Sequence, residues 1–167
     1  LYDLINAESV DGIISWASLI GNYVTGDEIR IFHERYHSLP LVTLGGQFEG
    51  IPTLLVDSYK GMYEAIIHLI EVHGYRRLAF ISGPEGNVFA QERYQAYTDA
   101  LKTYGIPLDP NLITPPAAWE IVMGQRAMRL LLDERQLRPH IDFDAVVAAS
   151  DHLLLGALEI LHERGIY

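Results

Sequence analysis

Two histidines and a glutamate occur at the spacing that zinc proteases use. His33, Glu34 and His37 match the pattern H-E-x-x-H, in which two imidazoles on one helix face hold zinc and the glutamate activates water. A third ligand at a usual spacing is missing, because Gly45 and Gly46 carry no ligating side chain. The pattern is better explained as the solvated face of an amphipathic helix, so no metal site is predicted. An enzyme that uses this motif stays open as an alternative.

A second pattern, Gly83-Pro84-Glu85-Gly86, follows a predicted strand and precedes a helix, as phosphate loops do. It lacks the G-x-G-x-x-G and G-K-[ST] arrangements, and Glu85 would repel phosphate. No G-x-S-x-G nucleophile elbow occurs. Without cysteine the chain has no thiolate nucleophile and no cysteine-ligated zinc. The sequence therefore predicts a protein that is not an enzyme and needs no cofactor.

Arg93 and Asp151 are the charged residues that best suit ligand binding. Each follows a predicted strand and loop, on the sheet edge where open α/β sheets bind ligands. A guanidinium offers a fixed fork of donors and a carboxylate accepts, so the pair suits a ligand with both kinds of group. The structural alternatives are a loop-tethering ion pair for Arg93 and a helix N-cap for Asp151. Trp119 lies in a loop where its ring can cover a sugar or base, or can pack in a satellite core.

The elements that position these residues alternate between strands and helices. Strands are predicted at residues 10–15, 41–44, 53–56, 78–81 and 145–149, with a short one near 112–113. Helices are predicted at about residues 1–8, 27–36, 58–73, 90–104, 120–135 and 151–164, and residues 16–26 as a loop. Strands that alternate with helices of this length indicate βαβ units and a parallel sheet.

The periodicity of apolar residues assigns a buried face to each helix. In the helix after residues 53–56, the predicted face consists of Met62, Ala65, Ile66, Leu69 and Ile70. In the last helix, the apolar residues at helical spacing are Leu154, Leu155, Leu158 and Leu161.

Composition limits the class of protein. Of the 167 residues, 49% are hydrophobic, enough for the core of about one domain. The net charge of −10 argues against direct binding of nucleic acid by this chain. No apolar run of about 18 residues predicts a membrane span, and the lack of cysteine fits a cytoplasmic protein. The first residues look like the middle of a helix, so the chain is expected to be part of a longer protein.

Short segments spread over nearly the whole chain form one specific set. They are Val56-Asp57, Gly61, Ala65, His68-Leu69, Gly74-Tyr75-Arg76-Arg77, Gly83-Pro84, Arg93, Gly105-Ile106 and the run from Ser150-Asp151 to Gly165. This set resembles the effector-binding domain of the lactose-repressor/galactose-repressor (LacI/GalR) family of transcriptional regulators.

The resemblance implies an α/β, periplasmic-binding-protein-like fold of type I, with two Rossmann-like lobes built on parallel sheets, here an incomplete segment. Residues 1–56 would belong to the N-terminal lobe and residues 57–167 to the C-terminal lobe. A sugar or nucleoside-like effector would bind between the two lobes of the domain. The protein would form a homodimer, and DNA would be bound only by a domain outside this chain. The sensory domain of a histidine kinase or diguanylate cyclase has the same fold and is the alternative.

By the same resemblance, Arg93 and Asp151 hold the ligand and Trp119 stacks on it. Asn87 and Phe89 lie in the loop that faces the ligand.

Two departures from the family pattern bear on this site. Gly45-Gly46 stands where the family often carries an Asp, and Phe89 replaces a small polar residue. The pocket is therefore expected to be less polar than a sugar site, or filled. A degenerate domain kept only for dimerisation is a further alternative.

Overall fold

The chain folds into two compact units. The computed structural model describes residues 5–20 and 24–166, and the units are Leu1–Asp57 and Ser58–Tyr167. Each unit is built on its own parallel sheet. In the described part of the chain, no helix has the length and apolar character needed to cross a membrane.

The first unit contains a three-stranded sheet in the order β1-β2-β3. Its elements are β1 (Ile13–Ser15), α1 (Ala17–Ile20), α2 (Gly26–Glu34), β2 (Leu41–Leu44) and β3 (Thr53–Leu54). Helix α2 begins at a capping box, in which the Thr25 side chain accepts from the Glu28 backbone and Glu28 reaches back to Thr25. The cap explains why the helix begins directly after Thr25.

The second unit places β4 and β5 side by side in a two-stranded parallel sheet. Its elements are α3 (Ser58–Glu71), β4 (Leu78–Ile81), α4 (Val88–Thr103), a 3₁₀ turn (Pro110–Leu112), α5 (Ile121–Arg129), a π-helical turn (Leu130–Glu134), β5 (Ala145–Ala148) and α6 (Asp151–Glu163). In the register of the two strands, Ile81 lies opposite Ala148. The loops after β4 and after β5 therefore leave the sheet at the same edge.

The core of the second unit surrounds β4, whose four residues are all buried. The Tyr97 ring packs on Phe80 with centroids 4.8 Å apart, and its hydroxyl donates to the Leu78 carbonyl over 2.8 Å. Burial raises the pKa of Tyr97, so the phenol stays neutral and keeps this bond. Helix α4 is thereby anchored to β4, the strand that leads to Gly83.

The amino end of the sheet is held by an acidic side chain. The Asp144 carboxylate accepts from the backbone N–H groups of Arg76 and Arg77, each over 2.9 Å, and pairs with the Arg77 guanidinium. These bonds fix the start of β4 against the start of β5. The candidate site lies at the other end of these strands, beyond the carboxyl ends of β4 and β5.

Several predicted boundaries are wrong. Residues 17–20 form a helical turn rather than loop, and residues 112–113 form a 3₁₀ end and a single bridge to Phe80 rather than a strand. Of the predicted helix over residues 1–8, the first four lie outside the described residues, and the rest form a turn closed by Asn6. Strand β3 spans two residues, Thr53 and Leu54, which pair with β2, and ends before the predicted boundary at Val56.

Two predicted faces need correction. Ala65 is exposed on α3. On α6, Leu155 and Leu158 are 48% and 49% exposed, whereas Leu153 and Ile160 are fully buried. Gly156 and Ala157 are buried on the same side of α6, and Gly156 lies directly against the backbone of α5. Strand β5, predicted to be buried, is half-buried along its length.

Candidate functional site

The Arg93 side chain connects the ends of three elements. It extends from the second turn of α4, and its Nη1 donates to the Ala149 carbonyl, just beyond β5, over 2.6 Å. Its Nη2 donates to the Ser58 hydroxyl, at the start of α3, over 3.3 Å. None of the ion pairs among the described residues involves Arg93. Within residues 5–20 and 24–166, no carboxylate therefore pairs with this guanidinium at the carboxyl end of β5.

The Trp119 ring lies at the carboxyl end of β4. It packs directly on Gly83: a Cβ built on Gly83 would lie 2.4 Å from the ring. The approach requires a glycine, because any side chain at position 83 would occupy the volume of the indole. The half-buried ring is also close to Ala90 in α4, which lies 3.0 Å from the same built Cβ. The flat apolar face of the Trp119 ring is thus held against Gly83, two residues beyond the end of β4.

Asp151 is the first residue of α6 and is exposed. The alternative role considered for it, an N-cap, is filled by Ser150, whose side chain accepts from the Leu153 backbone N–H. The Asp151 carboxylate lies at the positive end of the helix dipole, where negative charge is stabilised. It follows Ala149, the acceptor of Arg93, by two residues, so a cation and an anion lie at the same strand end.

The other two candidates lie where the loop after β4 meets α4, and Phe89, expected in the loop, belongs to the helix. Asn87 is the N-cap of α4, and its side-chain oxygen accepts from the Ala90 backbone N–H over 3.1 Å. Phe89 is half-buried in the first turn of α4. The role of Asn87 shown here is to begin the helix, which positions Arg93 further along it.

The structure thus brings Arg93, Trp119 and Asp151 to the same edge of one parallel sheet. Arg93 and Asp151 lie at the end of β5, and Trp119 at the end of β4. Their separation in the sequence is large, and the parallel pairing of the two strands brings them together. Together they provide donors, an acceptor and an aromatic face, which are the groups that sugar-like and nucleoside-like compounds need.

One part of this edge is not apparent from sequence patterns. The Ser82 backbone N–H donates to the Thr114 hydroxyl over 3.0 Å, and the Ser82 hydroxyl donates to the Thr114 carbonyl over 2.8 Å. Thr114 is buried at 3% exposure. This pair ties the segment that leads to Trp119 onto the end of β4. Its only signal in the sequence is a Ser directly before the Gly-Pro turn.

Cavities also occur on the second unit, one of them at the carboxyl end of β4. One of about 330 Å³ lies between α4 and the segment after Ile113 and includes Gly83 and Tyr94 in its lining. Another, of about 570 Å³, lies beside the amino half of β5 and the outer side of α6, and its lining includes Phe143 and Leu158. Neither is lined by Arg93, Trp119 or Asp151, so neither adds to the candidate site.

The H-E-x-x-H motif is solvated only in part: Glu34 and His37 are exposed as predicted, whereas His33 is not. His33 is 3% exposed, and its Nε2 lies 2.8 Å from the hydroxyl of Ser15, at the end of β1. His37 is exposed and its Nδ1 lies 3.0 Å from the Glu34 carbonyl. The two imidazoles therefore occupy different surroundings. Among the described residues, no three His, Asp or Glu side chains are grouped to hold a metal.

Burial of His33 makes the first unit sensitive to pH. Its Nδ1 is buried without a hydrogen-bond partner among the described residues, and burial lowers the pKa of His33. In the unfolded chain the imidazole binds a proton below about pH 6.5, whereas in the folded chain it stays neutral to lower pH. Unfolding therefore takes up a proton below about pH 6.5, and the free energy of unfolding falls as the pH is lowered.

We expect the free energy of unfolding to fall by up to about 1.4 kcal/mol per pH unit between pH 6.5 and the pKa of folded His33. Urea unfolding at pH 7.5, 6.5 and 5.5 measures this. His33→Gln should remove most of the dependence in this range, and His37→Gln, which changes an exposed imidazole of the same helix end, should retain it. An unchanged pH slope in His33→Gln would contradict the assignment.

Residues 67–167 match the family model described as a periplasmic binding protein-like domain. The HTH-type transcriptional repressor CytR of Escherichia coli K12 is 30% identical over 98% of this chain. The HTH-type transcriptional regulator CelR of Thermobifida fusca is 38% identical over 73% of this chain. The chain spans 45% of the length of CytR, about half of that relative.

Solved structures agree with this comparison. A sugar-binding transcriptional regulator of the LacI family from Escherichia coli, complexed with phosphate, superposes with a TM-score of 0.71 at 28% identity, covering 96% of this chain and 54% of that chain. The CelR–cellobiose complex gives a TM-score of 0.68 at 32% identity over 95% of this chain and 46% of that chain. The fold is therefore that of the periplasmic-binding-protein-like domains.

The chain belongs to this domain family, and within it to the effector-binding domains of LacI-family transcriptional regulators. Its relatives are regulators of transcription rather than enzymes. The comparisons accordingly favour neither the sensor of a signalling enzyme nor a zinc enzyme.

Proposed function

We propose that this chain is the small-molecule sensor of a LacI-type transcriptional regulator. The observation that carries the proposal is the convergence of Arg93, Trp119 and Asp151 at one edge of the β4-β5 sheet. The ligand, a sugar or nucleoside-like compound, would bind there, between the two lobes of the domain. It would be an uncharged molecule with several hydroxyl groups and one face flat enough to stack on the indole.

Each of the three residues has a distinct role in this proposal. The guanidinium of Arg93 donates to ring or hydroxyl oxygens, with N–H groups that its two protein bonds leave over. The Asp151 carboxylate accepts from hydroxyl or amine groups, and Trp119 covers the apolar face of a sugar ring or a base. Of the relatives, CelR is described in complex with cellobiose, which is a ligand of this kind.

The signal would arise from a shift between two conformations. A ligand changes the population of two states only by its difference in affinity for them. We propose that the regulator is a dimer whose DNA-binding part lies outside this chain, and that the effector shifts its conformation and so its affinity for DNA.

Thermal unfolding tests the proposal directly. The protein is screened against cellobiose, common monosaccharides and nucleosides, because a ligand at a hundredfold excess over its dissociation constant adds about 2.7 kcal/mol to the free energy of unfolding. At least one compound should raise the melting temperature by several degrees. A compound that raises it equally in wild type and Arg93→Ala would show that the site lies elsewhere.

A further inference from the structure

Ser58 contacts the guanidinium of Arg93. It is 5% exposed and is the first residue both of α3 and of the second unit. Its hydroxyl accepts from Arg93 Nη2 over 3.3 Å. A buried hydroxyl needs a hydrogen-bond partner, and this contact supplies one.

The second contact of the guanidinium fixes its orientation. Nη1 donates to the Ala149 carbonyl over 2.6 Å, so two different nitrogens of the planar fork are bound at two different elements. Because every N–H bond of a guanidinium lies in its plane, hydrogen bonds to two different acceptors restrict the rotation of that plane. Of the five N–H groups that a guanidinium carries, these two bonds use two. A backbone carbonyl cannot be altered by simple mutation, so the Ser58 hydroxyl is the only one of these two fixed points that depends on a side chain.

We propose that Ser58 is a positioning residue for ligand binding: its hydroxyl holds the Arg93 fork in the orientation that accepts a ligand. This inference rests on the proposed function, in which Arg93 contacts the ligand. An arginine that is held in advance loses less rotamer freedom when a ligand binds, and preorganisation of this kind raises affinity. Ser58 itself does not need to touch the ligand.

A purely structural role makes a different prediction. If the bond only ties α3 to α4, Ser58→Ala lowers the melting temperature and leaves the affinity of the folded protein unchanged. If it positions Arg93, the affinity falls and the mobility of the guanidinium rises. The two roles are separated by measuring stability, affinity and the Arg93 side chain in the same variants.

The variants are Ser58→Ala, Ser58→Thr and Thr98→Ala. Threonine keeps the hydroxyl, and Thr98→Ala removes a hydroxyl of α4 that donates to the Gln95 carbonyl of its own helix. The ¹⁵N NMR signal of the Arg93 Nε–H, assigned with Arg93→Lys, is recorded without ligand. Dissociation constants are measured for those of cellobiose, the monosaccharides and the nucleosides that stabilise the wild type.

In the ligand-free protein, Ser58→Ala should broaden or shift the Arg93 Nε–H signal, and Ser58→Thr and Thr98→Ala should leave it close to that of the wild type. The dissociation constant should rise about tenfold in Ser58→Ala, as expected for the loss of a hydrogen bond to a charged group, and recover in Ser58→Thr. If the extra methyl group of Ser58→Thr destabilises the fold, so that this variant melts well below Ser58→Ala, a second variant replaces it. Ser58→Gly also lacks the hydroxyl and must then show the same loss of affinity as Ser58→Ala.

An Arg93 signal that is the same in wild type and Ser58→Ala would overturn the proposal, as would an unchanged dissociation constant. If no compound of the panel binds the wild type, the function proposed above fails for these ligands, while the NMR comparison still decides whether Ser58 fixes the guanidinium. The two failures are therefore distinguishable.

Discussion

Gly124→Ala is expected to lower the free energy of unfolding of the second unit by about 3 kcal/mol or more, or to prevent its folding. A Cβ built on Gly124 in α5 would lie 2.1 Å from the carbonyl oxygen of Leu153 in α6, and one built on Gly156 would lie 2.0 Å from the carbonyl oxygen of Ile121. The two helices thus touch backbone to backbone at a pair of glycines. No flexible side chain is available to move aside.

Helix propensity alone predicts the opposite sign. Glycine in a helix interior is about 1 kcal/mol less favourable than alanine, so Gly124→Ala would stabilise a helix that packed on nothing. The matched control is Gly61→Ala: Gly61 is exposed in α3, and a Cβ there meets nothing within 4 Å. We expect the control to gain up to about 1 kcal/mol. Urea unfolding of both variants measures the difference, and a Gly124→Ala protein as stable as wild type would contradict the packing described.

Arg93→Ala and Asp151→Ala should each strongly reduce the thermal shift that a ligand produces in the wild type. A hydrogen bond to a charged group contributes about 1.5–3 kcal/mol, so the loss of Arg93 should weaken binding about tenfold to a hundredfold. Arg93→Lys should restore little, because an ammonium lacks the planar fork that both fixed contacts use. Titration calorimetry on each variant measures the dissociation constants.

Two controls separate loss of binding from loss of fold. Arg129→Ala removes an arginine of α5 whose partner, Glu163, is 63% exposed and lies 3.6 Å away, so its effect on stability and affinity should be small. Circular dichroism spectra should be the same for all variants. A ligand that binds Arg93→Ala and Asp151→Ala with wild-type affinity would remove both residues from the site.

Local sequence signals were sufficient for most of the second unit. The apolar run of Leu78–Ile81 became β4 with its bounds as predicted, because a buried parallel strand needs side chains that are apolar on both faces. The Gly74 stop and the positive φ of 71° at that residue agree, since helices commonly end at a left-handed glycine. The bounds of these elements depend on neighbouring residues in the sequence, so the sequence alone predicts them.

Contacts between distant segments account for the errors. His33 falls on the predicted polar face of α2, yet Ser15 at the end of β1 gives its Nε2 a partner, which a helical period cannot indicate. Leucines 155 and 158 fit a core period on α6, but the Gly124–Gly156 contact rotates the buried face towards Leu153 and Ile160. Where two backbones approach closely, the only trace in the sequence is a glycine in each helix. A glycine does not indicate which distant segment packs against it.

The candidate site was predictable in part. The position of Arg93 and Asp151 after strands indicated the sheet edge, and the structure adds the fixed contacts of the guanidinium, at Ala149 and Ser58. The contact of Trp119 with Gly83 is a long-range packing fact. No pattern in the sequence would have paired those two residues.

The most direct test of the central claim uses the indole of Trp119. The chain has two tryptophans, and Trp16 is 59% exposed in the first unit, so Trp16→Phe leaves a single indole N–H signal in the ¹⁵N NMR spectrum. With a compound that stabilises the protein, this signal should shift and reach half of its full change at a free ligand concentration equal to the dissociation constant found by calorimetry. In Arg93→Ala the shift at that concentration should be small. A compound that binds while the Trp119 signal stays in place would contradict a site formed by Arg93, Trp119 and Asp151.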